Sequence, residues 1–230
     1  VNPKTDIVMP VHGALSYTKH CVETVNEHTK NFRWIFVDDY SDEITAAWLR
    51  EEASRHPDSL LIRTNKQRWF TRASNLGLRM VRTTKAVLLN SDCEVNTGWL
   101  EELYSVWNLF EQEHPDKALG LVGATLSEAD PRPYIEHHVS QPSYVTGHCW
   151  LMDMTVMEWL AAHRGTPGWI FNEKDQGQIH IASDRILCWD LNKAGYSTVA
   201  SFHAKVGHVG GASWGHDLGK VSGLTLNSVD

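Results

Sequence analysis

The sequence predicts an α/β protein: a doubly wound, mostly parallel sheet flanked by helices. Two observations carry that expectation. Short apolar runs such as Trp34-Ile35-Phe36-Val37 and Ala86-Val87-Leu88-Leu89 alternate with helical patterns. Runs of this kind read as parallel strands buried on both faces. Acidic residues stand at or just past the ends of these runs: Asp38-Asp39 after the first, Asp92 and Glu94 after the second. In open parallel sheets, ligands bind outside the carboxyl ends of the strands. Two carboxylate clusters at two strand ends therefore predict a cleft for a metal and a polar ligand.

The elements follow in order. Asp6 to Val11 reads as the first strand, closed by Pro10 and the turn at His12-Gly13. Ser16 is placed to cap a helix whose apolar face carries Tyr17, Cys21, Val22 and Val25. Phe32 to Val37 is the second strand, and Ser41 or Asp42 caps a second helix with Ile44, Ala47 and Trp48 inward. Leu60 to Arg63 is a third strand, followed by a helix from Arg72 to Val81 with Ala73, Leu76 and Met80 inward. Ala86 to Leu89 is the fourth strand. Trp99, Leu100, Leu103, Val106, Trp107 and Phe110 form a strong helical stripe, and Leu119 to Ala124 a fifth strand. Repeated strand-helix-strand units with right-handed crossovers give a doubly wound sheet.

The second half is less regular. Residues 125–143 hold Pro131, Pro133 and Pro142 and read as a loop or extension. Tyr144 to Met152 is expected as a strand, Thr155 to His163 as a helix, and Gly165 to Gly177 as a mobile loop. Ser183 to Lys193 is a helix stopped at Gly195, and Ser197 to Phe202 a final strand. The tail from Gly207 to His216 looks too glycine-rich for regular structure. One domain is expected over 1–230, with 1–124 as a ligand-binding half and 125–230 as a half that selects a second substrate.

Composition bounds the function. At 230 residues, 42% hydrophobic and 21% charged, the chain has ample material for one core. A net charge of −7 argues against a nucleic-acid partner. No apolar stretch approaches the ~20 residues of a membrane span, and no signal-peptide pattern is present, so a cytoplasmic protein is expected, with peripheral membrane association open. The first residue is Val1 rather than Met, which suggests a trimmed chain. Cys21, Cys93, Cys149 and Cys188 are scattered without a CxxC pair and fit free thiols in a reducing compartment. The sequence has no GxxxxGK[ST] loop, no GxGxxG after the first strand, no GxSxG elbow and no HExxH motif. A nucleotide site here must rest on side chains and metal rather than on a glycine cradle.

One ordered set of segments resembles a known family. Asp6-Ile7-Val8-Met9-Pro10-Val11, Val37-Asp38-Asp39-Tyr40-Ser41-Asp42 and Leu89-Asn90-Ser91-Asp92-Cys93-Glu94-Val95 look like family 2 glycosyltransferases of the GT-A fold. The likeness continues through Arg72-Ala73-Ser74-Asn75-Leu76-Gly77, Ser183-Asp184, Lys193-Ala194-Gly195-Tyr196 and His208-Val209-Gly210-Gly211. It implies an inverting transfer of sugar from a nucleotide-diphosphate sugar to a saccharide or other hydroxyl acceptor, in the setting of polysaccharide biosynthesis. Donor binding would fall to Pro10, Val11, Asp38, Asp39, Arg72, Asn75, Asn90, Ser91 and Asp92. Asp38 or Asp39 would accept hydrogen bonds from base or ribose, the other reading being that the pair caps the following helix. Asp92 would hold Mn²⁺ or Mg²⁺ as the last residue of a DxD-type motif written Asn90-Ser91-Asp92, with His208 completing the shell.

Asp184 would be the general base. The family usually writes Glu-Asp there and adds an acidic residue two positions on, where this chain has Ser183 and Ile186. A helix N-cap is the competing role, and Glu173 and Asp175 are neighbouring candidates. Lys66 and Arg68 could meet phosphate or sugar groups. Trp150 and Trp169 are candidate acceptor platforms, or else anchoring aromatics. A nucleotidyltransferase of similar fold is disfavoured by the loop His12-Gly13-Ala14-Leu15-Ser16, which lacks arginine and is poor in glycine. A retaining transferase and a catalytically degenerate nucleotide-sugar binder are the remaining alternatives.

Overall fold

Strand β1 (Thr5–Val11) is buried along its whole length, and its side chains divide by parity between two cores. Ile7, Met9 and Val11 join the cluster built by Cys21, Val22, Val25, Leu49, Trp99 and Phe110. Val8 points the other way, into the cluster of Leu78, Met157, Leu160, Leu187 and Leu191. That period of two is what a central strand covered by helices on both faces requires. In this computed structural model, residues 4–125, 132–137, 145, 147–171, 183–204 and 206–209 are described.

The remaining elements are α1 (Leu15–His28), β2 (Phe32–Asp38), α2 (Glu43–Arg55), β3 (Leu60–Arg63), α3 (Trp69–Leu78), β4 (Lys85–Leu89), β5 (Cys93–Val95) and α4 (Trp99–Glu113). They are followed by β6 (Ala118–Ala124), β7 (Tyr134–His137), β8 (Cys149–Asp153), α5 (Met154–His163), α6 (Ser183–Lys193), β9 (Tyr196–Ser201) and β10 (Val206–His208). Eight strands form one sheet in the order β3-β2-β1-β4-β8-β6-β9-β7, and β10 pairs with β5 in a small second sheet. Strands β3, β2, β1 and β4 are parallel, as are β6 and β9, while β8 runs antiparallel to both its neighbours. Helices α1, α2 and α4 cover one face, and α3, α5 and α6 the other.

The expected doubly wound sheet is present, and several local expectations are corrected. Ser16 does not cap α1. The chain leaves β1 through Gly13 and Ala14, both in left-handed backbone, and the helix begins at Leu15 without a side-chain cap. In α2 the cap is Asp42, whose carboxylate accepts from the Thr45 N–H at 2.9 Å. Its inward face is Thr45, Ala46, Leu49 and Glu52, so Ile44 is 74% exposed and Ala47 also faces out. Glu52 explains the error. A carboxylate lies in the buried stripe because Asn26 donates to it at 3.0 Å, and the apolar pattern alone pointed elsewhere.

Helix α3 starts at Trp69, three residues before the expected Arg72, and Met80 lies beyond its end, exposed. Its close seat on the sheet depends on Gly77, where a Cβ would lie 2.4 Å from Val8 Cγ1 and 2.9 Å from Val37 Cγ2. Strand β7 falls inside the supposed loop 125–143 and pairs with β9. The supposedly irregular tail supplies β10, so β9 is not the last strand. The rest of the 165–177 loop beyond residue 171 lies outside the described residues. Among the described residues no helix is long and apolar enough to cross a membrane.

At the end of the sheet away from the strand-end carboxylates, Arg33 and Asp6 form a buried bidentate pair at 2.8 and 2.7 Å. Burial pushes the Asp6 carboxyl up, but bonds from Arg33, Arg82 and Thr83 outweigh it and hold the pKa below the usual carboxylate value.

Candidate active site

Because β1, β2 and β4 are parallel, their carboxyl ends open on one edge, with β1 between the other two. Neighbouring strands lie about 4.8 Å apart, which puts the β2 and β4 ends about 10 Å from each other. Each end carries one of the two acidic clusters, and Pro10 and Val11 are buried at the end of β1 between them.

On the β2 side both aspartates have protein partners. Asp38 is buried at the last position of β2. Its Oδ1 accepts from the Ser41 N–H at 2.9 Å and its Oδ2 from Arg63 Nη1 at 2.7 Å. Asp39 is fully buried and accepts from the Arg68 N–H at 2.7 Å, the Trp69 N–H at 2.7 Å and the Thr64 hydroxyl at 3.0 Å. It thus caps α3, a helix thirty positions further on, and not the helix that follows it. Burial raises the Asp39 pKa, with those backbone and hydroxyl donors pulling against it. Tyr40 and Trp69, one beside Asp39 in sequence and one bonded to it, both sit in left-handed backbone at φ 62° and 66° and are about half exposed. Non-glycine residues held there store strain, which the Asp39 bonds sustain.

Asn75 also has a structural partner in place of the expected donor. Its Nδ2 donates to Phe171 O at 2.8 Å and its Oδ1 accepts from the Phe171 N–H at 2.9 Å. This two-way clamp ties Phe171 to α3. Arg72 is half-buried and lines a groove along α3. Lys66 is exposed.

The β4 side is built differently. Asn90, Ser91 and Asp92 follow Leu89, and Asn90 Oδ1, Ser91 Oγ and Asp92 Oδ1 are all buried without a hydrogen-bond partner. His208 arrives from β10, which pairs with β5 and places His208 opposite Cys93. Its Nε2 lies 3.2 Å from Asp92 Oδ1 and 3.2 Å from Asn90 Nδ2. The Asn90 amide nitrogen can only donate, so its contact uses the Nε2 lone pair, and a cation bound between Nε2 and Asp92 Oδ1 would take the place of that contact. His148 stacks on His208 at 5.1 Å, and burial, then His208, push its pKa down to about 3, so it stays neutral.

Asp92, Cys93 and His208 bring ligand atoms within 4.8 Å of one another. The Cys93 thiol, however, donates to His148 O at 3.3 Å, and burial pushes its pKa well up. Oxygen and imidazole donors with orphaned buried oxygens fit a hard or borderline divalent ion, with Asp92 and His208 as the protein ligands. Glu94 lies on the wall of the same recess, 3.5 Å from His20 Nε2.

Asp184 lies in the first turn of α6 and is mostly buried. Its Oδ2 accepts from the Gly147 N–H at 3.1 Å and its Oδ1 from the Arg185 N–H at 2.8 Å. Burial raises its pKa above the usual carboxylate value against those donors. Gly147 makes room for it, since a Cβ there would lie 2.9 Å from Asp184 Cβ. Trp150 is corrected as an acceptor platform: it is fully buried, stacked on Phe171 at 6.1 Å, and shows no face to a ligand. Trp169 is partly exposed beside Arg79, whose guanidinium lies 5.8 Å from the indole centroid. His203 faces Glu102 at 3.7 Å. Glu173, Asp175, Gly210, Gly211 and His216 lie outside the described residues, as does the Ser183 side chain.

Sequence reasoning missed Arg63, Tyr40, Trp69, Gly147 and His148. Arg63 ends the strand next to β2, a position that could have flagged it. Nothing in the sequence marks the other four.

Comparison with known proteins agrees with this geometry. The family model described as Glycosyl transferase family 2 matches residues 6–159, more than half of the chain. The chain belongs to glycosyl transferase family 2, and its sheet and flanking helices are those of the GT-A fold. A putative polypeptide N-acetylgalactosaminyltransferase 9 of Drosophila melanogaster is 32% identical over 106 residues, covering 44% of this chain and 16% of that protein. The mannosyltransferase PcManGT from Pyrobaculum calidifontis, solved in complex with GDP-Man and Mn²⁺, superposes with a TM-score of 0.63 at 15% identity over 87% of this chain and 55% of its own. TarS 1-349 of S. aureus, in complex with UDP, gives a TM-score of 0.61 at 12% identity over 88% of this chain and 58% of its own. The chain thus spans little more than half the length of either solved neighbour.

Proposed function

We propose that the protein is a divalent-metal-dependent, inverting glycosyltransferase that moves a sugar from a nucleotide-diphosphate sugar to an acceptor hydroxyl. The observation that carries this reading is the Asp92–His208 pair beyond the end of β4, with the buried oxygens of Asn90 and Ser91 beside it lacking hydrogen-bond partners. The distance of about 10 Å between the two acidic strand ends suits a nucleoside diphosphate laid across the end of β1. Its base would lie by Asp39, Tyr40 and Trp69, and its diphosphate by Asp92 and His208. The ion held by Asp92 and His208 would neutralise charge on the leaving diphosphate, as Mn²⁺ or Mg²⁺ can.

Asp184 acts as the base. The acceptor oxygen attacks the anomeric carbon, the bond from that carbon to the β-phosphate oxygen breaks, and the hydroxyl proton passes to the Asp184 carboxylate. Its raised pKa brings that carboxylate closer to the strength a base needs at neutral pH. The GDP-Man complex of PcManGT and the UDP complex of TarS support a nucleotide-linked donor for this chain as well.

Calorimetric titration of UDP, GDP and dTDP tests the reading, with Mn²⁺ and with EDTA, on wild type and Asp92→Ala. One nucleotide should bind in a Mn²⁺-dependent way and lose that binding in the variant. Absence of binding by all three with Mn²⁺ present would overturn the donor site.

A further inference from the structure

A groove of about 710 Å³ runs beside α3, away from the metal pair. Its lining includes Arg63, Arg68, Arg72, Arg79 and Trp169, and no carboxylate residue contributes to it among the described residues. Arg72 lies in α3, Arg68 just before its start and Arg79 just after its end, and all three line the groove. A chain with net charge −7 has concentrated four guanidinium groups in one furrow. Arg63 is held by Asp38 and Arg68 donates to Asn65 at 3.3 Å, so part of the row is fixed in place. Arg79 lies against Trp169, which puts a planar cation and an indole on the same wall. The volume is too large for one small anion and within the range of organic ligand sites.

We propose that this groove binds an anionic saccharide, a chain of sugar residues bearing carboxylate or sulfate-type oxyanions, as a stretch of the acceptor distant from the reacting unit. Guanidinium forks pair with such oxyanions in bidentate fashion, and the indole offers an apolar face to a sugar ring. Thr64, whose hydroxyl bonds Asp39, is part of the lining, so the groove reaches the Asp39 side of the cleft. Trp169, two residues before the Phe171 clamp, also lines it. This assignment rests on the glycosyltransferase reading for the role of the bound chain, though not for the binding itself.

The test is calorimetric titration of the full chain, without nucleotide or metal, by four probes. These are a hexagalacturonate, a heparin-derived hexasaccharide, maltohexaose and a short single-stranded DNA. At least one anionic saccharide should bind about tenfold tighter than maltohexaose, and which one does distinguishes carboxylate from sulfate. Arg79→Gln should weaken that binding about tenfold and flatten its salt dependence, while UDP, GDP and dTDP titrations stay as in wild type. Arg79→Lys should fall between the two, because it keeps the charge and loses the fork. Equal affinity for maltohexaose, binding of DNA as tight as of the saccharides, or indifference to Arg79→Gln would each overturn the groove. Loss of nucleotide binding in the wild type, with saccharide binding retained, would instead overturn the donor reading.

Discussion

At Asp184 two backbone N–H groups and burial oppose each other, and burial prevails in the pKa. Protonated, the carboxyl cannot take the acceptor's proton. The rate should therefore fall as pH drops through the folded pKa of Asp184, at a pH above the ordinary carboxylate value, and a pH profile of kcat/KM reads this limb. Asp184→Asn should lower turnover by roughly a thousandfold and remove the limb, while nucleotide affinity in calorimetry stays unchanged. The residues proposed as metal ligands and base were legible as residue types at strand ends and at a helix start. What the sequence hid was which acids were already engaged. Asp38 and Asp39 stand side by side, yet one is tied to Arg63 and the other caps a distant helix, and no local pattern separates them.

Helix α3 shows why element boundaries were harder to read than element types. Its start is set by Asp39, which supplies acceptors to the Arg68 and Trp69 N–H groups from another segment. A search for a capping residue just before the helix finds only Arg68, in helical backbone and with no side-chain cap bond. The short strands β7 and β10 were missed for a related reason: each forms only because a partner strand, β9 or β5, is ready to pair with it. From α3 the Asn75 amide grips Phe171. Asn75→Ala should leave a buried N–H and a buried C=O without partners and cost roughly 2 kcal/mol or more. Urea denaturation measures the loss, and hydrogen exchange at the Phe171 amide should quicken in the same variant.

Across the whole molecule, the two ends of the sheet are held by opposite chemistry. One end leaves buried oxygens of Asn90, Ser91 and Asp92 without hydrogen-bond partners, and the other seals Asp6 against Arg33. Asp6→Asn should destabilise the fold by about 3–5 kcal/mol at pH 7, because it strands a buried guanidinium. The wild-type Asp6 pKa is lowered, so its contribution is present above the unfolded value of 3.8 and lost as pH falls through the folded one. Denaturant midpoints of wild type and variant should therefore converge in acid. The three-layer arrangement itself was readable because buried central strands leave long apolar runs and their helices leave stripes. The antiparallel insertion of β8 between β4 and β6 was not, since strand direction leaves no mark on residue type.

All four cysteines are free and buried, and three of them donate to backbone carbonyls around the cleft: Cys21 to Asn90, Cys93 to His148 and Cys188 to Val145. Burial pushes each of these thiols up, so in the closed protein none is a ready nucleophile. An aromatic disulfide reagent should thus react with the native protein only as fast as the core breathes, and with the denatured chain at once. The sulfur atoms beneath the site become a built-in clock for its opening. Slow, protein-limited colour development would show a tightly closed cleft floor, and prompt reaction of one thiol would reveal which strand parts first.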